Sequence, residues 1–185
     1  MDKRIKEILI TQDEIVDKCK ELGKEITEYY KDYEVKPLFV TLMKGGIPFL
    51  AELMKHVEFD LEMHYMDVSS YQGTESVGDI KIIKDLDISI VDKDILLIED
   101  IIDTGITLNK VIGLLLNKGA KSVKCASLLD KPSRRIDQVS ADFVGFVIPD
   151  EFVIGFGLDY NQKFRNLPYV AILKEEYYAQ EGASE

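Results

Sequence analysis

The sequence predicts an open α/β fold built on a parallel sheet, and three observations predict it. Short runs that are apolar at nearly every position, Leu38–Leu42, residues 95–98 and residues 123–129, have the length and branching of strands covered on both faces. Between them lie segments whose apolar residues recur at helical spacing. Two of these strands also run into glycine-bearing turns that open into helices, Met43-Lys44-Gly45-Gly46 and Asp103-Thr104-Gly105-Ile106-Thr107. In open α/β sheets that edge is where ligands bind.

The chain of 185 residues has room for one domain with a sizeable core, and 46% of it is hydrophobic, which speaks against disorder. A formal net charge of −11 argues against a nucleic-acid-binding surface, which needs clustered Lys and Arg. No apolar stretch reaches membrane-spanning length, so no membrane partner is expected. The N-terminal residues alternate charges and lack the apolar centre of a signal peptide. Cys19 and Cys125 sit in apolar periodic segments and offer no disulfide framework. Cytoplasmic localisation is the expectation.

In chain order, Thr11-x-x-Glu14 reads as a capping box, and Ile15, Cys19, Leu22 and Ile26 share one helical face, predicting an amphipathic helix over about 12–30. Pro37 introduces the strand Leu38–Leu42, and Pro48 marks the start of a helix carrying Phe49, Leu50, Leu53 and Met54. The intervening Lys44-Gly45-Gly46 turn is a second possible anion site, although such turns are common, and it lacks the spacing of a Walker A loop. His56 and His64 stand beside neither a cysteine pair nor a nucleophile and are assigned to structure. Phe59, Leu61, Met63 and Tyr65 alternate, predicting a strand with one buried face. Residues 69–79 are polar and glycine-containing, longer than a tight turn, and precede a return strand at 80–83; loops of that length often serve as lids.

The stretch from Ile95 to Leu108 is the densest in chemistry. An apolar strand ends in Glu99 and Asp100, then Asp103 precedes Thr104, Gly105, Ile106 and Thr107, and Leu108, Val111, Ile112, Leu115 and Leu116 continue at helical spacing. The acids are therefore expected in a strand-to-helix turn. Backbone N–H groups at a helix start, with two threonine hydroxyls, suit a phosphate dianion. Gly105 lets the backbone approach closely. Three carboxylates beside that cradle require sugar hydroxyls or a hard cation such as Mg²⁺ between them and the phosphate. Beyond residues 123–129 come Asp130, Lys131 and Pro132, then short strands at 143–146 and 152–156 and a last strand at 169–173 before an acidic tail. Gly155-x-Gly157 is no dinucleotide fingerprint, because Tyr160 holds the third glycine's place and no helical pattern follows.

The sequence Glu99-Asp100-Ile101-Ile102-Asp103-Thr104-Gly105 resembles the phosphoribosyl-diphosphate (PRPP) motif of type I phosphoribosyltransferases, in the form of the hypoxanthine-guanine branch. Five segments follow the family's order from about Ile8 to Leu173. The resemblance implies a Rossmann-like parallel sheet flanked by helices, with a core over about 10–140 and a small purine-binding hood made from about 141–185 plus the extreme N-terminus. It implies purine salvage, with transfer of the phosphoribosyl group from PRPP to hypoxanthine or guanine, Mg²⁺ as cofactor, and a homodimer or homotetramer. By resemblance, residues 103–107 hold the 5′-phosphate, and Glu99 and Asp100 hold ribose hydroxyls and metal. Asp103 is the general base or acid at the purine's imidazole nitrogen. Lys44, Gly45 and Arg165 bind pyrophosphate, with Ser70 and Tyr71 on a closing loop. Lys131 meets the purine O6, Phe152 stacks on the base, Val153 pairs with its edge, and Asp159 contacts the base and a second Mg²⁺. An ammonium at O6 favours a 6-oxopurine over a 6-aminopurine. Two departures are Glu151, where many relatives have lysine, and Ile106, at a variable position. A xanthine-preferring enzyme and a PRPP-sensing regulator are the alternatives.

Overall fold

The computed structural model describes residues 2–70 and 80–179. Among the described residues, nine strands form two sheets, accompanied by three α-helices. The larger has six strands in the order β4-β3-β2-β5-β6-β7: β2 (Leu38–Leu42), β3 (Glu62–Ser70), β4 (Ile80–Lys84), β5 (Asp94–Ile102), β6 (Ser122–Asp130) and β7 (Phe143–Val147). All neighbours are parallel except the edge pair β3–β4. The smaller sheet joins β1 (Ile5–Ile10), β9 (Val170–Leu173) and β8 (Val153–Ile154), all antiparallel.

Three layers follow from the apolar pattern of the strands. Alternate residues of β2, β5 and β6 point to opposite faces. Phe39, Leu96, Ile98 and Leu128 meet α1 (Gln12–Tyr30) and α2 (Gly46–Leu53), while Val40, Ile95, Leu97 and Cys125 meet α3 (Ile106–Asn117). Helix α1 begins at the expected capping box, in which Glu14 N–H donates to Thr11 Oγ1 at 3.3 Å and Thr11 N–H to the Glu14 carboxylate at 2.8 Å. Helix α2 starts two residues before Pro48, which fits because a first-turn residue needs no N–H.

Several expectations shift. Residues 5–10 form a strand that the charge alternation hid, since β1 is closed mainly by pairing with β9. Phe59 and Leu61 precede β3, and Met63 (54% exposed) and Tyr65 (44%) are not buried. The helices lie chiefly over β2, β5, β6 and β7, so among the side chains described in β3 the core draws only Met66 as a fully buried one. The strand expected at 152–156 shortens to Val153–Ile154, because Gly155, Phe156 and Gly157 all take positive φ in the turn that follows. Residues 143–147 belong to the large sheet, so its last strand lies beyond residue 140.

Strand β2 leads through α2 to β3 on one side, and β5 leads through α3 to β6 on the other. The chain thus reverses direction across the sheet between β2 and β5, whose carboxyl ends lie side by side. That switch point opens the crevice in which the chemically interesting residues collect.

Candidate active site

The acids expected in a turn are divided between strand and turn. Glu99 and Asp100 lie within β5, where Glu99 is in register with Ser127 and Ile102 with Asp130 of β6. Only Asp103, Thr104 and Gly105 form the turn. The strand continues because β6 pairs with it on both sides of Asp100, through Glu99 and through Ile101 and Ile102, a fact no local pattern records. Gly105 caps α3 at φ 83°, a left-handed conformation that favours glycine, and a Cβ there would stand 2.7 Å from Val139 Cγ1. Asn109 N–H donates to Gly105 O at 2.9 Å, and Ile106 N–H reaches Thr104 Oγ1 at 3.4 Å. Glu99, Asp100, Asp103, Thr104 and Thr107 border a cavity of about 230 Å³ facing this helix start, and Ile106 is half-buried beside them.

The electrostatics of this cavity are those of a site awaiting donors. Burial, and then the Asp100 charge, push the Glu99 carboxyl well above its ordinary range. Its Oε1 is buried with no hydrogen bond among the described residues. Burial likewise raises Asp100 to about 6, tempered by the Ile101 N–H, which donates to its Oδ1 at 2.9 Å, and by Arg165. Buried carboxylates short of partners suit hydroxyl groups or a divalent cation.

The β2–α2 turn packs directly on these acids. Thr41 Oγ1 donates to Ile98 O at 3.0 Å, tying β2 to β5. The Met43–Lys44 peptide is cis. Gly45 is pressed between two neighbours: its own Cβ would fall 1.7 Å from Asp100 Oδ2, and a Cβ on Gly157 would fall 2.0 Å from Gly45 O. Two glycines therefore let the β2 turn, the β5 acids and the hood meet. Lys44 is exposed, and its Nζ lies 3.4 Å from Gln162 Oε1. Arg165 donates to the same oxygen at 3.2 Å and to Gly157 O at 2.7 Å, and pairs with Asp159 at 2.7 Å. The two cations expected for pyrophosphate thus converge on Gln162, which sequence reasoning did not single out. Arg165 Nε is buried without a hydrogen-bond partner among the described residues.

A second cavity, of about 520 Å³, opens beside the first and shares Ile101 and Asp103 with it. Lys131, only 5% exposed, lines it together with Phe152 and Val153. Tyr178, from the C-terminal segment, stacks on Phe152 with centroids 4.8 Å apart and planes at 23°. That segment is held by Lys174 N–H to Arg4 O at 2.9 Å and by Tyr160 Oη to Tyr177 O at 2.6 Å. Tyr178, Arg134 and Asp150 also border this cavity and had no signal in the sequence, because they reach it only through the folding of the hood and the turn after β6. Glu151 also borders this cavity and pairs with Lys6 of β1 at 3.0 Å.

Of the other expectations, Ser70 ends β3, while Tyr71 and most of the candidate lid lie outside the described residues. His56 and His64 pair with Glu52 and Glu62 at 3.0 and 2.9 Å, in keeping with structural roles. Among the described residues no three His, Cys, Asp or Glu side chains form a metal-holding group. Glu99, Asp100 and Asp159 are thus not a protein-only cage. No helix among those residues is long and apolar enough to cross a membrane.

Residues 6–161 match the phosphoribosyl transferase domain family. The chain is 51% identical over 179 residues to the hypoxanthine-guanine phosphoribosyltransferase of Bacillus subtilis, covering 96% of this chain and 98% of that protein. Among solved structures, a hypoxanthine phosphoribosyltransferase of Staphylococcus aureus superposes with a TM-score of 0.87 at 48% identity, covering 95% of each chain. The Trypanosoma cruzi hypoxanthine phosphoribosyltransferase in complex with the product IMP gives a TM-score of 0.91 at 34% identity, over 96% of this chain and 99% of that one.

Proposed function

Since the chain belongs to the phosphoribosyltransferase family, we propose that it salvages purines by transferring the 5-phosphoribosyl group of PRPP to hypoxanthine or guanine, giving IMP or GMP and pyrophosphate. The observation that carries this reading is the pair of adjoining cavities that share Asp103. One is bordered by Glu99, Asp100 and the turn that opens α3, and the other is lined by a buried lysine and an aromatic ring.

Each group then has a physical task. The backbone of residues 103–107 and the Thr104 and Thr107 hydroxyls hold the 5′-phosphate at the α3 N-terminus. Glu99 and Asp100 accept hydrogen bonds from the ribose hydroxyls, which offsets the cost of their burial. Phe152 stacks on the base, Val153 meets its edge through the backbone, and the Asp159 carbonyl completes that side. Lys131 donates to the purine O6; a 6-amino group would leave the ammonium without an acceptor, which disfavours adenine. Asp103 takes the imidazole proton as the base nitrogen bonds to C1 of the ribose and the bond to pyrophosphate breaks. Lys44 and Arg165, released from Gln162, receive the leaving pyrophosphate.

The raised, partner-poor carboxyls of Glu99 and Asp100 fit Mg²⁺, with Asp159 beside Arg165 as a further carboxylate. When bound, the ion supplies positive charge to ribose and pyrophosphate oxygens. A cytoplasmic homodimer or homotetramer is the assembly this reading expects. Exposed Met63, Tyr65 and Ile83 on β3 and β4 support burial against a second copy.

The test is direct: mix the protein with PRPP, Mg²⁺ and each purine in turn, and follow nucleotide formation by absorbance. Product from hypoxanthine and guanine is expected. Product from xanthine alone would shift the reading to a xanthine enzyme. No product from any 6-oxopurine would overturn it.

A further inference from the structure

Beside Glu151, which pairs with Lys6, two further charged side chains at the base cavity have no part in the transfer described above, Arg134 and Asp150. With the groups they approach, they make a row of alternating charge along the cavity. Lys131 Nζ lies 4.0 Å from Asp150 Oδ1, Asp150 Oδ1 lies 3.6 Å from Arg134 Nη1, and Arg134 Nε lies 3.1 Å from Asp103 Oδ1.

The main chain beneath Arg134 is firmly held. It closes a 3₁₀ turn (Pro132–Arg134) that follows β6. Lys131 N–H donates to Ile102 O at 2.9 Å, and Ile136 N–H donates to Thr104 O at 2.8 Å. The next residue, Arg135, pairs with Asp130 and donates to the main-chain oxygen of Asp103 at 2.7 Å. Arg135 thus fixes the backbone of Asp103, while Arg134 meets its carboxylate.

That carboxylate has two directions open to it, since Asp103 borders both cavities. The phosphate-and-ribose side holds Glu99 and Asp100, and the base side holds Arg134 and Lys131. Arg134 approaches Asp103 Oδ1 off the line of a hydrogen bond, and that oxygen is buried with no hydrogen-bond donor among the described residues. A cation that attracts an oxygen without saturating it aims the group and leaves its lone pair for a substrate proton.

We propose that Arg134, braced by Asp150, is a positioning residue that turns the Asp103 carboxylate toward the base cavity. The inference rests on the reading of Asp103 as the proton acceptor. Misplacing such a group by about 1 Å can cost on the order of 100-fold in rate, so losing Arg134 acts on turnover more than on PRPP binding.

The experiment compares Arg134→Ala, Arg134→Lys, Asp150→Asn and Asp103→Asn with the unaltered protein. Single-turnover rates, KM for PRPP and KM for hypoxanthine are measured, and thermal melts check folding. Arg134→Ala is expected to lower the rate by roughly 10- to 100-fold while KM for PRPP stays within about twofold. Arg134→Lys recovers part of the loss, Asp150→Asn gives a smaller loss of the same kind, and millimolar guanidinium ion accelerates Arg134→Ala but not Asp103→Asn. An Arg134→Ala rate within about twofold of the unaltered protein, beside a slow Asp103→Asn, overturns the role of Arg134 alone. A loss that appears equally in KM for PRPP and is not rescued by guanidinium overturns it as well. Wild-type turnover in Asp103→Asn overturns the reading of Asp103 and this inference with it.

Discussion

Asp100→Asn should make the ligand-free protein more stable above about pH 6, where the native carboxyl is ionised, and not at pH 4. Burial raises the Asp100 carboxyl from 3.8 to about 6. A folded-state value above the unfolded one means that the native chain binds this proton more tightly. Its contribution is therefore fully present below about pH 4 and lost as pH rises through about 6. A rise of this size corresponds to about 3 kcal/mol at roughly 1.4 kcal/mol per unit. Asp100 keeps some contact with solvent, so about half of that is the realistic expectation. Asparagine removes the charge, keeps the oxygen that accepts from Ile101 N–H, and fits the same space against Gly45. For a chain of this size, a gain of about 1.5 kcal/mol raises Tm by roughly 3–6 °C. Urea and thermal unfolding of both proteins at pH 4 and pH 8 would measure it, with the gain at pH 8 shrinking toward zero at pH 4. A variant less stable at pH 8, or a difference independent of pH, would refute the claim that this buried charge destabilises the empty site.

Gly105→Ala forces a side chain into φ 83° and against Val139. We expect a loss of about 1–2 kcal/mol, or roughly 2–8 °C in Tm, together with weaker PRPP binding by calorimetry. Lys131→Met removes a charged donor at the purine O6, so kcat/KM for hypoxanthine should fall roughly 10- to 100-fold, while KM for PRPP changes little. Tyr178→Ala removes the ring stacked on Phe152. A contact of that kind is worth about 0.5–1.5 kcal/mol, so KM for the purine should rise roughly 2- to 10-fold in steady-state assays.

The parts whose physics is local were legible in the chain before any packing was considered. The Thr11 capping box set the start of α1, the all-apolar runs set β2, β5 and β6 as strands covered on both faces, and the helical spacing of Leu108, Val111 and Leu115 set α3. The chain also supplied Lys44, Asp103 and Lys131 as chemistry-bearing groups at strand ends. Features that depend on residues far apart in the chain took their form from folding. Strand β1 exists because β9 pairs with it, β5 runs on through Glu99 and Asp100 because β6 supports it, and Gly157 is glycine because Gly45 O lies against it. Arg134, Gln162 and Tyr178 enter the site by the same route, through pairings and turns that bring distant segments together. Local propensity fixes which elements form and which residues they carry. The direction in which a carboxylate faces, and the charge that faces it, are set by long-range packing, which no short stretch of sequence encodes.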